Sequence, residues 1–206
     1  MIADSSPNFE TSELIDSLTQ QGWWVKTQFF SPELIEGLAD ETLTLYQNQQ
    51  MTRAGIGRGQ DFQQNAEIRL DFIHWLDGTT EIQQRYLAQM EALRLTLNRE
   101  LFLGLFDFET HFAFYPPGAF YKKHLDSFRG QANRLVSAVT YLNADWPTDG
   151  GGELLIYTPD EQQVIAKVRP EASTLVVFLS EEIPHEVQVS HYQRSSIAGW
   201  FRVNGR

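Results

Sequence analysis

The chain contains no cysteine. That absence removes disulfides, thiolate nucleophiles and sulfur-ligated metal sites together, so any metal has to be held by His, Asp or Glu. Basic residues are scarce as well: 16 Lys and Arg against 27 Asp and Glu give a formal charge of −11 and a pI near 4.8. A broad phosphate-binding surface needs clustered cations, so a nucleic-acid partner is not expected. Arg53, Arg58 and Arg69 come close enough along the chain to form a local basic strip, but a solvated loop is the simpler account. No run approaches the ~18 apolar residues of a membrane helix, and Met1 to Glu10 is polar with no apolar signal region. The expectation is a soluble cytoplasmic protein without a membrane partner.

Apolar residues, by contrast, are plentiful. They make up 42% of 206 residues, with 13% aromatic, which is enough for a large core and excludes disorder of the whole chain. The length suits one β-rich domain, 1–206, with helical decoration. Residues 1–106 read as helical support, and 107–206 as the core.

Thr11 or Ser12 can cap a short helix carrying Leu14, Ile15 and Leu18, which Gly22 ends. Ser31-Pro32-Glu33 opens a second helix with proline at its first position. A third carries Ile82, Tyr86, Met90, Leu93, Leu97 and Leu101 at steps of three and four, behind a Thr80/Gln83 capping box. That stripe predicts packing on a sheet. Residues 51–65 have no periodicity and read as a mobile loop, after which 67–76 alternates as an extended ribbon. Strands are predicted at 108–115, 134–142, 153–157, 163–168, 174–179, 185–190 and 193–203. Breaks at Pro116-Pro117-Gly118 and Thr148 to Gly152 separate them, and short strands at this spacing suggest a double-sheet jelly roll or barrel.

Of five histidines, His124 stands two residues before Asp126, a spacing that puts both on one face of a strand. His185, at the start of a later strand, would complete two imidazoles and one carboxylate. Such a set covers one face of an octahedral iron(II) and leaves three positions open, as O₂ activation requires. Arg194 follows nine residues later; on an inward face it would lie deep in the barrel, where a guanidinium suits a carboxylate. His74, His111 and His191 read as ordinary hydrogen-bonded residues.

These motifs, with Tyr141-Leu142-Asn143-Ala144-Asp145-Trp146, the Gly151-Gly152 turn, Pro184-His185-Glu186-Val187-Gln188 and Trp200, resemble the iron(II)/2-oxoglutarate-dependent oxygenases. Within them the chain is similar to the prolyl hydroxylases that act on hypoxia-inducible factor and to their bacterial relatives. Ile68-Arg69-Leu70-Asp71 with Trp75 extends the resemblance upstream. It implies a mainly β fold, a double-stranded β-helix (jelly roll) barrel supported by N-terminal and central α-helices. It also implies iron ligation by His124, Asp126 and His185, with Fe(II), 2-oxoglutarate and O₂ as reactants and ascorbate as a stimulant. Arg194 and Tyr141 would hold the distal carboxylate of 2-oxoglutarate, and Tyr115 would lie near its metal-binding end. Asp71, Tyr121, Arg134 and Trp200 fall where the family places its peptide, and the opposite charges of Asp71 and Arg134 suggest that they pair. Loop 51–65 matches in place a segment that closes over substrate.

The implied reaction is hydroxylation of a substrate C–H, foremost a proline in a protein loop, with elongation factor Tu the leading partner among bacterial members. Competing readings remain: the same chemistry on a free amino acid or another side chain, a non-catalytic binding module on the same barrel, or a zinc hydrolase. The last two leave Arg194 unexplained.

Overall fold

The computed structural model describes residues 10–55, 67–127 and 133–203. Its helices are α1 (Thr11–Gln21), α2 (Pro32–Gln47) and α3 (Glu81–Leu101). The second helix starts as its sequence dictates. Ser31 Oγ accepts from the Leu34 N–H at 3.3 Å, and Pro32 takes the first turn, where its missing N–H costs nothing. Gly22 ends α1 with φ 81°, but neither Thr11 nor Ser12 caps its start. Glu10 is the N-cap, without a side-chain bond, and Thr11 already lies inside the helix. At α3, Thr80 accepts from the Gln83 N–H, yet the capping box is not completed. Gln83 is buried, and its carboxamide accepts from the Gly78 N–H while donating to Glu41, so it ties α3 to α2.

The strands are β1 (Trp23–Lys26), β2 (Thr52–Arg53), β3 (Phe72–Trp75), β4 (Leu105–Tyr115), β5 (Tyr121–His124), β6 (Arg134–Tyr141), β7 (Leu154–Tyr157), β8 (Val164–Val168), β9 (Leu175–Leu179), β10 (His185–Val187) and β11 (Arg194–Val203). Seven form one sheet in the order β1-β9-β6-β11-β4-β3-β2, and four form another, β5-β10-β7-β8. From β4 onward the chain passes from sheet to sheet at every connection except the β7–β8 hairpin. This is the jelly roll that the strand spacing suggested.

Two expectations need correction. The N-terminal half is not helical support alone: β1 pairs with β9 along Trp23↔Phe178 to Lys26↔Leu175, extending the large sheet. Residues 51–65 are not loop throughout either, since Thr52 and Arg53 pair with Ile73 and Phe72. Residues 56–66 of that segment lie outside the described residues.

Strand alternation sorts the side chains into two cores. Phe112, Phe114, Val136, Val177, Ile197 and Phe201 face the helices and meet Tyr86, Met90, Leu93 and Leu97 of α3. Each such side chain contributes roughly 1.5–3 kcal/mol when fully buried. Ala113, Tyr115, Tyr141, Val176 and Phe178 point the other way, between the sheets, toward Leu154, Ile156 and Val187. The inward face of β4, β6 and β11 therefore carries Tyr115, Ser137, Tyr141, Arg194, Ser196 and Trp200 of the residues discussed below. Among the described residues, no helix is long and apolar enough to cross a membrane.

Candidate metal centre and co-substrate pocket

His124 closes β5 and lies directly opposite His185 in the antiparallel β5–β10 pair. Asp126 falls two residues beyond the end of β5, on a bend rather than on the strand as expected. Its carboxylate still reaches the imidazoles: His124 Nε2 is 3.5 Å from Oδ1, and His185 Nε2 is 3.8 Å from Oδ2. All three ligand atoms lie within 4.8 Å of one another.

Backbone carbonyls fix both ring tautomers. The Nδ1–H of His124 donates to Lys122 O at 2.8 Å and that of His185 to Ile183 O at 2.9 Å, which leaves each Nε2 lone pair for a cation. Burial, with His124 beside it, pushes His185 down to about 4 against the opposing pull of Asp126, so it is neutral at pH 7. Burial alone would raise the Asp126 carboxyl. His185, His124 and the Ser137 hydroxyl outweigh it and hold Asp126 well below the usual carboxylate range. Ser137 Oγ donates to Asp126 Oδ2 at 2.6 Å and is itself 2.8 Å from Ser180 Oγ. Two imidazoles and one carboxylate, with no other His, Asp or Glu in the cluster among the described residues, suit iron(II) with positions left for further ligands.

On the facing sheet Arg194 begins β11 and is only 1% exposed. Its Nε donates to Gly152 O at 2.9 Å and Nη1 to Ser196 Oγ at 3.3 Å, while the rings of Tyr115 and Tyr141 lie 4.7 and 5.0 Å from the guanidinium carbon. Among the described residues no carboxylate pairs with it. A buried cation without an anion is costly, and so is a buried hydroxyl without a partner. Tyr141 Oη is such a hydroxyl. Burial pushes the Tyr141 phenol up, with Arg194 opposing, so it is a donor at neutral pH. One carboxylate would satisfy both groups, and 2-oxoglutarate brings a carboxylate at each end. Gly152, read from sequence only as a turn, proves part of this wall: its φ is 67°, and a Cβ there would come within 3.0 Å of Arg194 Cδ.

The expected substrate residues behave differently from one another. Asp71 does not pair with Arg134. Both its carboxylate oxygens are taken by Arg69, at 2.7 and 2.5 Å, because Arg69 stands two residues away on the same face. Arg134 instead donates to Glu109 at 2.7 Å and lies 3.5 Å over the Trp200 ring. Trp200 Nε1 is buried without a hydrogen-bond partner. Tyr121 stacks on His124, ring centroids 3.6 Å apart and 17° from parallel, which places it against the metal centre itself. Tyr115 is buried beside Arg194. His74, His111 and His191 each bond a backbone carbonyl through Nδ1, in keeping with their reading as ordinary residues.

Ser137, Ser196 and Glu109 were not singled out in the sequence. The available signal was alternation: Ser137 shares its strand face with Val139 and Tyr141, and Ser196 shares one with Arg194. A hydroxyl on a face otherwise apolar and inward needs a polar partner.

With this geometry in place, the comparisons with known proteins are direct. Residues 110–202 match the 2OG-Fe(II) oxygenase superfamily. The fold is similar to that of a prolyl-4-hydroxylase of Pseudomonas putida, at TM-score 0.84 and 42% identity, over 95% of this chain and 100% of that one. This chain belongs to the 2OG-Fe(II) oxygenase family, and the prolyl hydroxylases are its homologues. A Trichoplax adhaerens prolyl hydroxylase, solved with a peptide of the hypoxia-inducible-factor oxygen degradation domain, is similar at TM-score 0.83 and 26% identity, over 93% of this chain and 88% of that one. Human Egl nine homolog 1 is 27% identical over 91% of this chain and 45% of its own length. The chain thus spans about half the length of that curated relative.

Proposed function

We propose that this protein is an iron(II)- and 2-oxoglutarate-dependent dioxygenase that hydroxylates C4 of a prolyl residue in a protein. The observation that carries the reading is the pairing of two features across the sandwich. Three metal donors, the two imidazoles with fixed tautomers, stand opposite a buried guanidinium that has no acid to neutralise it among the described residues.

His124, Asp126 and His185 would hold the iron, which, with 2-oxoglutarate and O₂ bound, supplies the oxidising power for C–H hydroxylation. The protein's own work is orientation and exclusion of water. Arg194 and Tyr141 grip the far carboxylate of the co-substrate by charge-assisted bonds, worth about 1.5–3 kcal/mol each. That grip aims the 2-oxo acid end at the metal, with Tyr115 as the adjoining wall. Ser137 holds Oδ2 of Asp126, so Oδ1 would be the oxygen left to serve as a ligand. Trp200, with Arg134 over one face, offers the aromatic wall on which a proline ring would lie.

The prolyl substrate is supported by the likeness to prolyl hydroxylases and by this aromatic wall. Elongation factor Tu is the first protein to test. Iron-loaded enzyme, 2-oxoglutarate and the candidate protein are incubated together, and each tryptic proline peptide is weighed. The expected result is a gain of one oxygen on a proline. Succinate release with no protein gaining mass would move the substrate to a small molecule.

A further inference from the structure

Arg69 is the cation that neither the metal centre nor the co-substrate pocket requires, yet it is built into the wall beside them. Its side chain is 11% exposed and its partner Asp71 is 0% exposed. Three bonds fix the guanidinium plane: Nε and Nη2 to the two oxygens of Asp71, and Nη1 to Gly55 O at 3.3 Å. Backbone pairing then sets this plane over one ring. Residues 68–70 run antiparallel to 120–122, with Leu70 N–H donating to Phe120 O and Lys122 N–H to Ile68 O, so Arg69 and Tyr121 are direct cross-strand neighbours. The Arg69 guanidinium carbon lies 4.2 Å from the Tyr121 ring centre, and the other face of Tyr121 is available to His124, on which it stacks at 3.6 Å.

This stack supplies what the hydrogen bond on His124 lacks. The bond from Nδ1 to Lys122 O lies in the plane of the imidazole and fixes its tautomer. It resists out-of-plane rocking weakly. A parallel ring pressed on the face opposes that rocking, and the ring stays in place only if something backs it.

We propose that Arg69 is a positioning residue for the metal ligand His124, acting through Tyr121, and that it links the ligand to the segment following β2, at Gly55. A lysine cannot replace it, because a point charge offers neither the planar face nor the three-way fork. The inference rests on the three-ligand site of the proposed function but not on its substrate.

The test is titration of the metal-free full chain with Co(II), following the ligand-field absorption, with no substrate and no turnover. Arg69→Lys is expected to weaken Co(II) binding at least tenfold, the lower end for losing an outer partner of a ligand, and to change the band shape. Tyr121→Phe keeps the stack and should bind as the wild type does; Tyr121→Ala should lose affinity as Arg69→Lys does. Combining Arg69→Lys with Tyr121→Ala should cost no more than Tyr121→Ala alone. Where Arg69→Lys lowers the thermal midpoint, Arg69→Met with Asp71→Leu removes the buried pair together, and affinity is read on that folded protein. Wild-type Co(II) affinity and spectrum in either folded Arg69 variant would overturn the proposal. Absence of Co(II) binding by the wild-type chain would instead overturn the metal site itself.

Discussion

The floor and the rim of the pocket treat charge in opposite ways. At the floor, among the described residues, Arg194 has no acid beside it and Tyr141 Oη has no partner. At the rim, three arginines are matched: Arg69 by Asp71, Arg134 by Glu109, Arg202 by Asp107 and Glu109. An unmatched buried group states what must arrive, whereas a matched one states only what already holds the wall together. This is why the floor points to one co-substrate while the rim leaves many substrates open.

That contrast can be broken by substitution. The largest effect is expected at the metal donors. Asp126→Ala should cost more than the roughly 100-fold seen at the upper end for outer partners, read as iron-dependent succinate release; activity within tenfold of wild type would remove Asp126 from the ligand set. Next comes the buried rim. Arg69→Met leaves Asp71 charged and unpaired, and should lower unfolding free energy by about 3–5 kcal/mol in urea melts.

His111 gives a comparable effect through pH. Burial first, then the nearby Arg69, push it down to about 4, with Asp71 opposing and Arg134 adding to the depression. Unfolded, it would titrate near 6.5 and bind a proton that the folded protein refuses. Its share of stability is therefore whole above pH 6.5, falls as pH drops toward 4, and amounts to about 3 kcal/mol in all. His111→Met should flatten the acid limb of the stability curve by that amount, and an unchanged slope would mean the imidazole is hydrated.

At the floor, Arg194→Met should weaken 2-oxoglutarate by roughly 10- to 150-fold, matching ~1.5–3 kcal/mol of charge-assisted bonding, without lowering the thermal midpoint. A large loss of stability there would erase the distinction between floor and rim. The smallest change is at the outer rim. Arg202 is 25% exposed, so Arg202→Met should cost at most about 1 kcal/mol in the same urea melts.

The parts of the molecule readable in the sequence are those where one residue type does one job. The long strands β4, β6 and β11 are rich in aromatic and β-branched residues between clear breaks, and His124, Asp126 and His185 carry their chemistry in their identities. Short elements were harder. Trp23 to Lys26 is four residues without a clear period, and its pairing with β9 is a tertiary fact. The strand β5 holds Lys122 and Lys123, exposed on an edge, so its apolar signal is weak. Partner choice was the least legible. Asp71 could have met Arg134 or Arg69, and only the fold brings Arg69 to the same face at hydrogen-bonding distance. Likewise nothing in Ser137 alone marks it as the support of Asp126.

One feature of the small sheet bears on how the protein behaves with and without its metal. His124 and His185 face each other across β5 and β10, and β5 is a four-residue strand at the end of the small sheet, backed on its other side only by the short pairing with 68–70. A cation gripped by both imidazoles is thus also a clasp across that seam. Stripping it should let the border fray, and amide protons of residues 121–124 should then exchange faster while those of β11 keep their pace.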